Sequence, residues 1–144
     1  MKSPEALINL YRRKGMRITP QRRMIFELLS DDESHLTVDR LYHQLKERMP
    51  DVSLATVYNT IHELVALGEI HNIEGRHVGG IRYDTIAEPH HHLYCTQCHK
   101  LTDVPLGIEP SKLIPQDTAG YQIKRAQITF YGLCKECQNG SSNA

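Results

Sequence analysis

The stretch His90-His91-His92-Leu93-Tyr94-Cys95-Thr96-Gln97-Cys98 sets three imidazoles just ahead of a Cys-x-x-Cys hook. A second hook, Cys134-x-x-Cys137, follows after 35 intervening residues and takes up the rest of the chain's 4 cysteines. Four thiolates in two hooks form a soft, closed, tetrahedral set, which suits a structural zinc ion. Closing so long a loop restricts the unfolded chain, and metal-binding free energy becomes folding free energy. Alternation along a strand puts His90 and His92 on one face and turns His91 away. With the nearby carboxylates Asp84 and Asp103, they form a harder set able to hold Fe(II), Mn(II), Co(II), Ni(II) or Zn(II). His35, from the N-terminal half, is a further candidate ligand. His43, His62, His71, His77 and His99 read as ordinary surface or core residues.

With 144 residues the chain has room for one ordinary domain or two small ones. Lys plus Arg and Asp plus Glu are 17 each, so net charge identifies no partner. Its distribution is more informative. Between Met1 and Arg23 stand Lys2, Arg12, Arg13, Lys14, Arg17, Arg22 and Arg23 against one acid, Glu5, as a phosphate-facing end requires. No apolar run reaches the roughly 18 residues of a membrane span, and no signal-peptide pattern opens the chain, so a cytoplasmic protein with no membrane partner is expected. In that reducing compartment paired Cys-x-x-Cys hooks read as metal ligands before disulfides. A metalloenzyme would need a general base and a substrate pocket beside its metal, and no residue set supplies them, so no enzymatic activity is expected. A plain zinc-ribbon module would leave the N-terminal helices and the histidines unexplained.

Helical spacing and caps predict four helices. Pro4 to Lys14 ends at Gly15; Thr19-Pro20 opens a second helix that stops near Ser30 to Glu33; Thr37 caps a third, ending at Met49-Pro50; Ser53 caps a fourth, Leu54 to Leu67, closed by Gly68. The fourth carries Val57, Ile61, Leu64 and Val65 on one stripe and Ala55, Thr56, Tyr58, Asn59 and His62 elsewhere, the small and polar set a recognition helix needs. Strands Ile70 to Ile73 and Ile81 to Asp84 flank the turn-rich, Arg76-containing stretch from Glu74 to Gly80. Helices followed by a recognition helix and a basic hairpin describe a winged helix. Beyond a hinge, His92 to Tyr94, Leu101 to Val104 and Tyr121 to Tyr131 read as strands. Between the last two lies a poorly helical, proline-interrupted segment, Pro110 to Ala119.

Five strings carry a family resemblance over nearly the whole chain: Arg17-Ile-Thr-Pro-Gln-Arg22, His35-Leu-Thr37 with Tyr42, Ser53-x-Ala55-Thr56-Val57-Tyr58, His90-His91-His92 before Cys95-x-x-Cys98, and Tyr131-Gly132-x-Cys134-x-x-Cys137. The chain resembles the ferric uptake regulator (Fur) superfamily of metal-dependent bacterial repressors, and within it the PerR-like peroxide-sensor subfamily. The resemblance implies an α+β protein. Residues 1–84 would form a winged helix-turn-helix DNA-binding domain, 85–89 a hinge, 90–138 a small α/β dimerisation and metal-binding domain with a four-cysteine zinc site, and 139–144 a disordered tail.

It further implies structural Zn2+ on Cys95, Cys98, Cys134 and Cys137, and regulatory Fe2+ or Mn2+ on His35, Asp84, His90, His92 and Asp103. Iron-catalysed peroxide oxidation would fall on His35 and His90, ending DNA binding. Asp103 is the best single discriminator, since iron-responsive relatives typically carry glutamates among the corresponding carboxylates; the alternative is an iron, manganese or zinc uptake regulator of the same superfamily. The partners implied are a second copy of the chain, forming a homodimer, and palindromic operator DNA. Position and residue type assign Tyr58, with Thr56 and Asn59, to base contact, Arg17, Thr19, Gln21 and Arg22 to phosphates, and Arg76 to the minor groove.

Overall fold

The computed structural model describes residues 1–31, 35–75, 77–86, 88–105 and 107–140, without the side chain of Pro110. The chain divides into two compact units, Met1–Ala87 and Glu88–Ala144, and the mixture of helix and sheet makes it an α+β protein. Arg76, Ala87 and the tail residues 141–144 lie outside the described residues. Among the described residues no helix is long and apolar enough to cross a membrane.

The first unit begins with α1 (Pro4–Arg13), α2 (Pro20–Ser30), α3 (Val38–Arg48) and α4 (Leu54–Ala66). Each starts where a hydroxyl can accept a backbone N–H of its first turn: Ser3 from Ala6, Thr19 from Arg22, Thr37 from Arg40 and Ser53 from Thr56. Gly15 after α1 and Gly68 after α4 take left-handed φ values of 68° and 71°, a conformation that penalises any side chain and lets the chain turn away. The apolar stripes interlock. Leu7 and Tyr11 of α1, Ile25, Phe26 and Leu29 of α2, Leu41 and Leu45 of α3, and Val57, Ile61 and Leu64 of α4 form one core. Tyr11 meets Phe26 edge-on at 5.1 Å.

An antiparallel pair follows α4: β1 (His71–Ile73) and β2 (Arg82–Asp84), in the register His71 to Asp84. Thr37, just ahead of α3, adds an isolated bridge to Arg82 of β2. Helices α2, α3 and α4 pack on one another ahead of this hairpin.

In the second unit β3 (His90–Cys95) is the central strand, antiparallel to β4 (Leu101–Pro105) and parallel to β5 (Thr129–Gly132). A short 3-10 turn, Pro110–Leu113, interrupts the connection, and α5 (Lys135–Gly140) follows β5. Two expectations need correction. The long strand Tyr121 to Tyr131 is reduced to four residues, because β3 pairs with this segment only from Thr129 onward; ahead of it Tyr121 is 76% exposed and residues 121–128 join no ladder. The expected tail also starts too early: Asn139 and Gly140 belong to α5, whose first turn bonds Gln138 N–H to Cys134 C=O at 2.9 Å.

Candidate metal centres and nucleic-acid face

Cys95 ends β3 and Cys98 follows in the adjoining turn, while Cys134 and Cys137 flank the start of α5. The parallel pairing of β3 with β5, which sets Cys95 opposite Gly132, brings the two hooks together. Thr96 N–H then donates to the Gly132 carbonyl at 2.8 Å, and Cys134 N–H donates to Cys95 Sγ at 3.3 Å. All four Sγ atoms lie within 4.8 Å of one another, with Cys98 and Cys134 at 3.7 Å. Bonds of about 2.3 Å from a central zinc predict a tetrahedral edge of about 3.8 Å, so the set fits that ion. The thiols differ in acidity. Backbone N–H donation, first from Cys134, pulls Cys95 down to about 6, whereas the hydrogen bond with the Cys134 thiol pushes Cys137 up to about 12. A central cation would favour the thiolate form of all four.

The second cluster is built by sheet register. His90 and His92 are two residues apart on β3, and His92 is paired directly with Asp103 on β4. Their Nε2 atoms meet at 3.1 Å, and each lies 3.4 Å from Asp103 Oδ1. His91 points the other way, edge-on to Phe130 at 5.8 Å. The His90 ring is oriented by its Nδ1–H, which donates to the Glu88 carbonyl at 2.8 Å and leaves Nε2 with its lone pair toward the cluster. His92, fully buried, has Nδ1 at 3.2 Å from Gln127 Nε2. Two imidazole nitrogens and a carboxylate suit Fe(II), Mn(II) or Zn(II).

His35 and Asp84 belong to the first unit. His35 is buried at a left-handed φ of 54°, which is costly for a residue with a Cβ. Asp84 ends β2, fully buried, with Oδ1 accepting the Ile86 N–H at 2.8 Å.

On the first unit, Arg17, Thr19, Gln21, Arg22, Thr56 and Asn59 line one open concavity of about 290 Å³ together with Thr60. Tyr58, 40% exposed, stands next to Asn59 on α4. Arg22 is engaged inward. Its guanidinium pairs with Glu63, donates to the Arg17 carbonyl and covers the Tyr11 ring at 5.5 Å. Burial first, and the Glu63 charge second, push the Tyr11 phenol far above its ordinary range. Sequence reading missed Glu63 and Gln127. Glu63 reads as a plain polar position of α4, and Gln127 acquires its partner only from the register of β5 beside β3.

The model of the ferric uptake regulator family matches residues 13–131. The Bacillus subtilis peroxide operon regulator is 31% identical over 134 residues, covering 92% of this chain and 91% of that protein. Among solved structures, the Campylobacter jejuni peroxide stress regulator superimposes with a TM-score of 0.64 at 26% identity, over 95% of this chain and 100% of the other. The Helicobacter pylori ferric uptake regulator reaches a TM-score of 0.73 at 22% identity, over 93% and 90%, and speaks for the fold alone. With 119 of its 144 residues matched by that model, the chain belongs to the ferric uptake regulator family.

Proposed function

We propose that this chain is a metal-dependent, DNA-binding transcriptional repressor that senses hydrogen peroxide through oxidation of its own ligating histidines. The observation that carries the reading is the pairing of His90 and His92 with an aspartate, Asp103, in a chain whose cysteines are all gathered in the other cluster. His35 and Asp84 of the first unit complete the ligand set by resemblance. These residues would hold an iron ion, which would supply one-electron chemistry toward hydrogen peroxide. His35 and His90 are the side chains that take up oxygen, and an oxidised imidazole is a poorer ligand.

Repression follows from differential affinity: metal favours the state that grips DNA, and losing its ligands cancels that preference. Arg17 and Thr19 just ahead of α2 and Gln21 in its first turn hold phosphates, while Thr56, Tyr58 and Asn59 on α4 face base edges and Arg76 reads the minor groove. The zinc held by the four cysteines supports the second unit. Its exposed Leu93, Phe130, Tyr131 and Leu133 ask for cover, which a homodimer provides. The regulator kinship of the matched proteins also favours a non-enzymatic role.

Asp103→Glu tests the carboxylate assignment. The variant should keep Mn(II)-dependent DNA binding while its Fe(II) form loses DNA more slowly under peroxide. Unchanged peroxide sensitivity in the variant would count against the carboxylate assignment.

A further inference from the structure

The three hydrogen bonds at the histidine cluster run in one direction. With the amide in this orientation Gln127 Nε2 donates to His92 Nδ1 at 3.2 Å, and the matching tautomer of His92 carries its proton on Nε2. That Nε2–H donates to His90 Nε2 at 3.1 Å, and His90 Nδ1–H donates to the Glu88 carbonyl at 2.8 Å. Every member of the chain is satisfied. In this arrangement, however, His92 Nε2, the nitrogen facing His90 and Asp103, carries a proton and cannot ligate a metal. For Nε2 to bind, the proton must move to Nδ1, which then needs an acceptor.

We propose that Gln127 is a positioning residue of the metal centre: its amide turns over so that Oε1 accepts the His92 Nδ1–H, fixing the metal-binding tautomer and ring orientation. An amide suits this place because it offers a donor in one orientation and an acceptor in the other. Glutamate would serve only the metal-binding tautomer, and leucine neither. Outer partners of this kind typically change metal affinity 10–100-fold, a magnitude expected here as well. The inference rests on the metal-centre reading above and assigns it a sixth side chain.

The test is Mn(II) titration of zinc-loaded protein by calorimetry, comparing wild type, Gln127→Leu, Gln127→Glu and His92→Ala, with imidazole nitrogen NMR of His92 in wild type. Expected are Mn(II) affinity 10–100-fold weaker in Gln127→Leu, equal or tighter in Gln127→Glu, and loss in His92→Ala. NMR should find Nε2 protonated before metal is added and Nδ1 protonated with Zn(II), a diamagnetic probe, at the site. A Gln127 that merely fills space would make the leucine variant bind as well as wild type and the glutamate variant worse, which would overturn the inference. Loss in His92→Ala with unchanged Gln127→Leu would overturn it alone; unchanged His92→Ala would overturn the metal-centre reading as well. Should a Gln127 variant fail to fold, the wild-type tautomer decides, and Nδ1 protonated before metal addition contradicts the inference.

Discussion

In the first unit 16 buried side chains, from Leu7 to Tyr83, interlock as one core. In the second, Tyr94, Cys95 and Leu101 are the buried apolar residues among those described, while Leu93, Phe130, Tyr131 and Leu133 stand between 44% and 53% exposed. The first unit thus has what a small helical domain needs to fold alone. The second falls in the size range where a metal or a partner usually supplies what the core lacks. One half of the molecule is held by burial and the other by coordination, and the half held by coordination is the one whose stability a change in metal ligands can reach.

The sharpest way to break that contrast is to remove zinc. Cys95→Ser, or chelation of the wild type, should abolish amide-exchange protection in β3, β4 and β5 and abolish dimerisation, while α1 to α4 keep theirs; a zinc-free second unit that stayed protected and dimeric would end the argument. The converse is Phe26→Ala, which deletes a fully buried ring from the first unit. It should cost about 3–5 kcal/mol in urea unfolding followed by helical signal, with zinc content unchanged. Zinc loss in that variant would mean that the two units fail together.

A smaller effect separates two arginines of the first unit. Arg17→Ala should lower the slope of log Kobs against log salt for DNA binding by about one. Arg22→Ala should weaken binding at unchanged slope, because its guanidinium is held by Glu63 and braces α2 against α4. Equal slope changes would return Arg22 to the phosphates. Smallest of all, Ser53→Ala should cost about 1 kcal/mol of first-unit stability, since its hydroxyl accepts the Thr56 N–H at 3.2 Å and caps α4.

Much of this was legible in the sequence, and for local reasons. Helix starts are written in Ser3, Thr19, Thr37 and Ser53, their ends in Gly15 and Gly68, and the facing of His90 and His92 follows from strand period alone. What was not legible depended on register between distant segments. The alternating pattern of residues 121–131 looks like one long strand, yet only its end meets β3. Gln127 comes beside His92 through that same pairing, 35 residues away along the chain. Arg22 carries the charge and position of a phosphate contact, and only the fold reveals Glu63 waiting across the helix pair. Short caps and periods are properties of single segments, whereas second partners are properties of packing.

In the proposed mechanism the nitrogen and oxygen centre, and not the thiolate one, registers peroxide. Its most direct test is anaerobic Fe(II)-dependent binding to a palindromic operator fragment selected from random DNA, before and after a small dose of hydrogen peroxide, with peptide mass spectrometry on the same samples. Binding should be lost as His35 or His90 gains one oxygen, while the four cysteines and their zinc remain intact, and the Mn(II)-loaded protein should keep its DNA. Binding that survives peroxide without histidine oxidation, or that is lost with oxidised cysteines and unmodified histidines, would contradict it.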